Sequence, residues 1–173
     1  SIYTIFAGDK RLMIMVYLSI SLLIIVIGGI ILVPIVRNWL KARRDTVTAH
    51  QIVHEDKGRY AFLIDSHFRV KDTNFYELNP ELNDGQPEML GNVLHCKNGC
   101  DSGLCGTGIA CQTCPVRMIL KNSFPLRRDF EGVESTMKFY DKNHEEREAD
   151  VMVDGQLVYL GYKPHFIVNV KLL

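Results

Sequence analysis

Cys96, Cys100, Cys105, Cys111 and Cys114 are the only cysteines in the chain, and all five fall within 19 residues. In a reducing compartment, so dense a group points to metal binding or redox work before disulfides. Cys111-x-x-Cys114 supplies a close pair, because two intervening residues let both sulfurs face one metal from a tight turn or a first helical turn. Cys96 or Cys100, together with Cys105, can close the site from the preceding loop. Gly99, Gly103, Gly106 and Gly108 let that loop fold tightly around what it encloses. Four thiolates suit zinc or an iron–sulfur cluster, and spacing alone does not decide between them.

Pro115 directly after Cys114 is similar to the Cys-Pro ending of bacterial ferredoxin motifs and leans toward iron. Three readings stay open: zinc or buried thiols bracing a loop, an iron–sulfur or redox-responsive site, and a disulfide-bonded loop in an oxidising compartment. The other candidates are weaker. His95 adjoins Cys96, but a direct neighbour usually points elsewhere. His50 and His54 lie four apart, and with no third ligand nearby in sequence a solvated helix face is expected rather than a metal site. Arg117, Arg127 and Arg128 make no basic stripe with stacking aromatics, so nucleic acid is not an expected partner. Residues 145–148 read as a solvated strand end or turn. No phosphate-binding loop, Cys-x-x-Cys-His haem motif or nucleophile–base pair is present, and the chain is not expected to be an enzyme.

The elements that must position the cysteines begin after Gly58. Residues 60–64 form a compact apolar run, 65–67 a polar turn and 68–70 a second strand, giving a β-hairpin. Residues 75–95 should be short helices and loops, and residues 116–122 a short helix. Strands are expected at 133–140, 148–153, 156–162 and 165–172, with Asp154-Gly155 as a hairpin turn. Two early strands, a helical middle and three or four late strands predict an α+β domain with an antiparallel sheet.

Residues 12–36 contain no acidic or basic side chain. At about 1.5 Å per residue they make about 37 Å of helix, enough to cross a hydrocarbon core of about 30 Å. A single transmembrane helix is therefore expected. Residues 37–57 should continue it as a juxtamembrane helix. The overall charge balance, 20 basic against 20 acidic residues, conceals a segregation. Residues 1–44 hold six bases and one acid, a formal charge of +5, and residues 45–173 hold 14 bases and 19 acids, a formal charge of −5. Four bases follow the apolar run and two precede it, which places residues 1–11 outside and the C-terminal domain in the cytoplasm of a cell whose inner membrane holds the anchor. The cytoplasm is reducing, which favours metal over disulfide.

Residues 61–70, followed by Thr73-Asn74, resemble the first hairpin of a PAS domain, where an Ile-Asp turn leads into a strand ending in Thr-Asn. Leu90-Gly91-Asn92-Val93-Leu94, then Cys96, resembles the Gly-x-x-Leu-x-Cys stretch of a cysteine-bearing subgroup of PAS domains in bacterial membrane sensor proteins of the histidine kinase type. Cys105-Gly106, Cys111 and Cys114 continue that pattern. The resemblance spans about residues 58–173 and implies a PAS-like domain with a cysteine-rich helical and loop insertion at 96–114. It further implies Cys96, Cys105, Cys111 and Cys114 as ligands, with Cys100 as a possible substitute. These 173 residues include no kinase output. The expected function is thus a membrane-anchored sensory or regulatory domain, redox- or oxygen-responsive, working through the lipid bilayer and a protein partner. The alternative is an accessory electron-transfer subunit, or a structural zinc-bearing one, of a larger membrane complex.

Overall fold

The computed structural model describes residues 2–55, 58–83, 85 and 88–173. The expected end of the juxtamembrane helix at residue 57, and Pro87 in the expected loop, lie outside the described residues. The chain divides into two units, residues 1–41 and 42–173. In the first unit the backbone is helical from residue 2 onward, within α1 (Ile2–Glu55). Nearly all side chains of residues 13–36 are exposed, and the helix is long and apolar enough to cross a bilayer by length and composition. Residues 42–55 of α1 belong to the second unit.

The second unit is built on one five-stranded antiparallel sheet of order β2-β1-β5-β4-β3, from β1 (Tyr60–Ile64), β2 (Val70–Thr73), β3 (Phe130–Tyr140), β4 (Glu146–Leu160) and β5 (Lys163–Leu172). Between β2 and β3 lie α2 (Phe75–Leu78), a 3-10 turn (Pro80–Leu82), α3 (Leu90–Val93), α4 (Lys97–Asp101), α5 (Ile109–Gln112) and α6 (Pro115–Leu126). The mixed helix and antiparallel-sheet architecture is the one expected from the sequence.

The continuous apolar run of β1 has a direct cause, because both faces of the strand are covered. Phe62 and Ile64 join Phe166, Val168, Val151 and Val153 under α3 and α6, whereas Ala61, Leu63 and Ile167 pack against Ala49 and Val53 of α1. Strand side chains alternate between faces, so two covers demand apolar residues at every position. In α6, Val116, Leu120 and Phe124 recur every four residues and form the buried face. The helix runs beyond the expected residue 122, past Pro125, and ends on Arg127 in the left-handed region (φ 50°).

Asp154-Gly155 is not a turn. Both residues lie inside β4, where residues 148–162 were expected to break. Gly155 pairs with Phe130 of β3 and Val168 of β5, and the Phe130 ring occupies the space that a side chain there would need: a Cβ on Gly155 would stand 2.1 Å from Phe130 Cε1. The Asp154 carboxylate accepts the Gly132 N–H at 2.7 Å at the accompanying bulge. The real turn falls at Gly161-Tyr162, with Gly161 at φ 65°. At the other hairpin, β2 starts at Val70 rather than Phe68, because Phe68 itself takes a positive φ of 63°.

Candidate functional site: the cysteine cavity

Cys96 directly precedes α4, Cys105 lies in the loop after it, Cys111 sits in α5 and Cys114 caps the N-terminus of α6. Pro115 begins α6, a position where its missing N–H costs nothing. Cys96, Cys105, Cys111 and Cys114 all line one cavity of about 50 Å³, walled by Leu90, Leu94, Val116 and Leu120. Cys100 does not line it. His95 also turns away: it is buried, with φ 52°, and its Nε2 lies 2.9 Å from the Leu82 carbonyl.

The insertion is tied to the sheet at several points. The Tyr140 N–H donates to the His95 carbonyl at 2.9 Å, and Cys96 bridges Phe139. Lys97 Nζ donates to Tyr140 Oη at 2.9 Å, and Tyr140 Oη donates to Asp101 at 2.7 Å. Lys97 also pairs with Glu146 at 3.3 Å, so one residue of the expected solvated strand end helps clamp α4 to β3 and β4.

Inside, Asn92 is fully buried and organises the loop. Its Oδ1 accepts the Cys105 N–H at 2.7 Å, and its Nδ2 donates toward the carbonyls of Gly103 (3.3 Å) and Gly99 (3.5 Å). Gly91 permits the closest approach: a Cβ there would meet Cys105 Sγ at 2.5 Å and Cys105 Cβ at 3.0 Å. Gly106, at φ 99°, makes room in the same way for the Arg117 guanidinium, which stacks over the Phe68 ring at 5.0 Å.

Burial pushes the Cys96 thiol above its ordinary range; backbone N–H groups of Gly99 and Asn98 oppose this, and Cys114 and Cys111 add to it. Burial likewise pushes Cys105 up to about 11, against the Gly91 N–H and the Arg117 charge and reinforced by Cys111 and Cys96. Without added positive charge these two groups stay protonated at neutral pH. A bound cation supplies that charge and converts such thiols to thiolates, while the N–H donors and Arg117 offset the negative charge of the thiolate set.

A set of four sulfurs around a small apolar cavity, with N–H donors on two of them and a neighbouring guanidinium, fits a thiolate-bound metal centre chemically. On a tetrahedral zinc, with Zn–S about 2.3 Å, sulfurs stand about 3.8 Å apart. Among the described residues, the group of three or more potential ligands whose atoms all lie within 4.8 Å of one another is His50, His54 and Asp72, not a set of cysteines.

No family model matches the chain. No curated protein matches it either. Among solved structures it is similar to the PAS domain of a protein from Desulfitobacterium hafniense, with 13% identity over 69% of this chain and 96% of that one and a TM-score of 0.43.

Asn92, Gly91 and Arg117 are not assigned as site residues from the sequence, where only their positions, not their contacts, are visible. Gly91-Asn92 lies within the stretch that resembles the cysteine-bearing PAS subgroup. Arg117 follows Cys114 by three residues, which on a helix is nearly one turn and the same face.

Proposed function

We propose that this chain is a membrane-anchored, PAS-like sensory or regulatory domain in which Cys96, Cys105, Cys111 and Cys114 hold a redox-responsive iron–sulfur cluster. The observation that carries the reading is that Cys96, Cys105 and the Cys111-x-x-Cys114 pair all line one cavity that Cys100 does not line. Pro115 directly after Cys114, similar to the Cys-Pro ending of bacterial ferredoxin motifs, is what favours a cluster over a single zinc ion. A cluster bound there supplies a redox couple, and the protein's own residues would hold and tune it: Asn92 fixes Cys105, Arg117 contributes charge, and Leu90, Leu94, Val116 and Leu120 exclude water.

The PAS-like assignment is supported by the hairpin that opens the sheet, the helical insertion between β2 and β3, and the three long strands that close it. The four bases among residues 37–44 support a cytoplasmic domain below a single inner-membrane anchor. The acidic second unit argues for a protein partner and against nucleic acid. Signalling follows from coupling: the metal orders the insertion, so its loss or oxidation frees α4 and α5 and changes the surface offered to the partner. Replacing Cys111 and Cys114 by Ser abolishes the cluster and the partner response on this reading. Unchanged fold, metal content and response in that double variant contradict it.

A further inference from the structure

A second ligand set lies on the opposite side of the sheet. Ala49 and Val53 bury one face of α1 against the sheet, which brings His50 and His54, one turn apart, alongside Asp72 of the edge strand β2. His50 Nδ1 lies 2.6 Å from Asp72 Oδ2, and His54 Nε2 lies 3.1 Å from Asp72 Oδ1. The two imidazole centroids are 4.3 Å apart. All three ligand atoms fall within 4.8 Å of one another. The third ligand, which the sequence did not disclose, comes from a residue 18 positions beyond His54 in the chain, brought in by the first hairpin.

The surroundings fix the orientation of these side chains. Glu77 of α2 accepts from His54 Nδ1 at 2.9 Å, leaving Nε2 as the ligand atom, and a carboxylate on the far nitrogen is the usual device that fixes the tautomer and ring of a metal-binding histidine. The Thr73 N–H donates to Asp72 Oδ1 at 2.9 Å and steadies the carboxylate. His54 and Asp72 are largely shielded, with 20% and 24% of their side-chain surface accessible, whereas His50 is open at 62%, so water can complete the coordination. With metal–nitrogen and metal–oxygen bonds near about 2.1 Å, two ligand atoms on one tetrahedral ion stand about 3.4 Å apart. The observed contacts need to open by less than about 1 Å.

We propose that His50, His54 and Asp72 form a binding site for a first-row divalent ion such as Zn²⁺, oriented by Glu77 and independent of the cysteine cavity. Two imidazoles and one carboxylate are a common donor set for such ions. The ion cross-links the last turns of α1 to β2.

The test is a Co²⁺ titration of the full chain in detergent, followed by absorption, with Zn²⁺ competition. Cobalt held by nitrogen and oxygen gives ligand-field bands without the sulfur-to-cobalt charge transfer that bound cysteines produce, so the two sites read out separately. One equivalent of the nitrogen and oxygen type is expected in the wild-type chain and none in His50→Ala or Asp72→Asn. Glu77→Gln, which keeps all three ligands, should bind about 10–100-fold more weakly. Because His50 is exposed, its replacement leaves the packing of Ala49 and Val53 intact, and a thermal melt verifies this. Cobalt bound only through sulfur, or nitrogen and oxygen bands unchanged in all three variants, overturns the proposal.

Discussion

Gly91→Ala tests the geometry of the cysteine cavity more sharply than removal of a ligand. The new Cβ would stand 2.5 Å from Cys105 Sγ, closer than such contacts occur, and 3.0 Å from Cys105 Cβ, tighter than nearly all of them. Two escapes exist. Cys105 can rotate its sulfur out of the cavity, which spares the fold but removes a ligand, or the segment from Gly103 to Gly106 can shift, which strains the Asn92 hydrogen bonds. Overpacking of this kind costs about 1–3 kcal/mol. Either route lowers metal retention, and the second also lowers the urea midpoint. Gly99→Ala is the matched control, since its Cβ would lie 3.4 Å from its nearest neighbours, the edge of ordinary contact. The assay is chelator-challenged metal retention together with equilibrium urea unfolding of the two variants and the parent. Wild-type retention in Gly91→Ala would refute the claim that Cys105 is seated against Gly91 to serve the site.

Cys100→Ser should keep the metal content and spectrum of the parent, because Cys100 does not line the cavity, whereas Cys105→Ser should lose them; metal analysis of the two purified variants decides. Asn92→Ala removes the acceptor of the half-buried Cys105 N–H, and leaving such a donor unpaired costs about 1 kcal/mol in urea unfolding. Asp65 tests pH dependence. Burial raises its pKa, but the N–H groups of Arg69 and His67 and the Lys71 ammonium outweigh burial and hold it below the ordinary carboxylate range. Its stabilisation is therefore full above the unfolded-state value and is lost as pH falls through the folded one. The stability gap between the parent and Asp65→Asn, followed by urea midpoints from neutral to acid pH, should narrow as the pH falls; a constant gap would contradict the assignment.

The first hairpin and the antiparallel class of the sheet were legible because a compact apolar run bounded by turn residues, and the alternation along β3 and β4, are local signals. The Asp154-Gly155 pair misled for a physical reason: its glycine answers to Phe130, a ring 25 positions earlier on the neighbouring strand, and no local rule reports that demand. For the same reason the double coverage of β1 was visible only as an unbroken apolar run, without the identity of the second cover. Of the candidate site, the ligand types and the odd position of Cys100 were readable from the sequence and its family resemblance. The Asn92 anchor and the Gly91 contact were not, since both exist only once α3 folds against the loop. His50 and His54 show the same limit, because their third ligand is defined by strand pairing rather than by spacing.

The central claim is that the cysteine cavity holds an iron–sulfur cluster. Purifying the full chain anaerobically, then recording its absorption spectrum alongside iron, labile sulfide and zinc contents, tests it most directly. A broad brown absorbance that bleaches on reduction, with iron and labile sulfide in matching amounts, is the predicted result. A colourless protein with one zinc bound through sulfur, or with no metal at the cysteines, would contradict it.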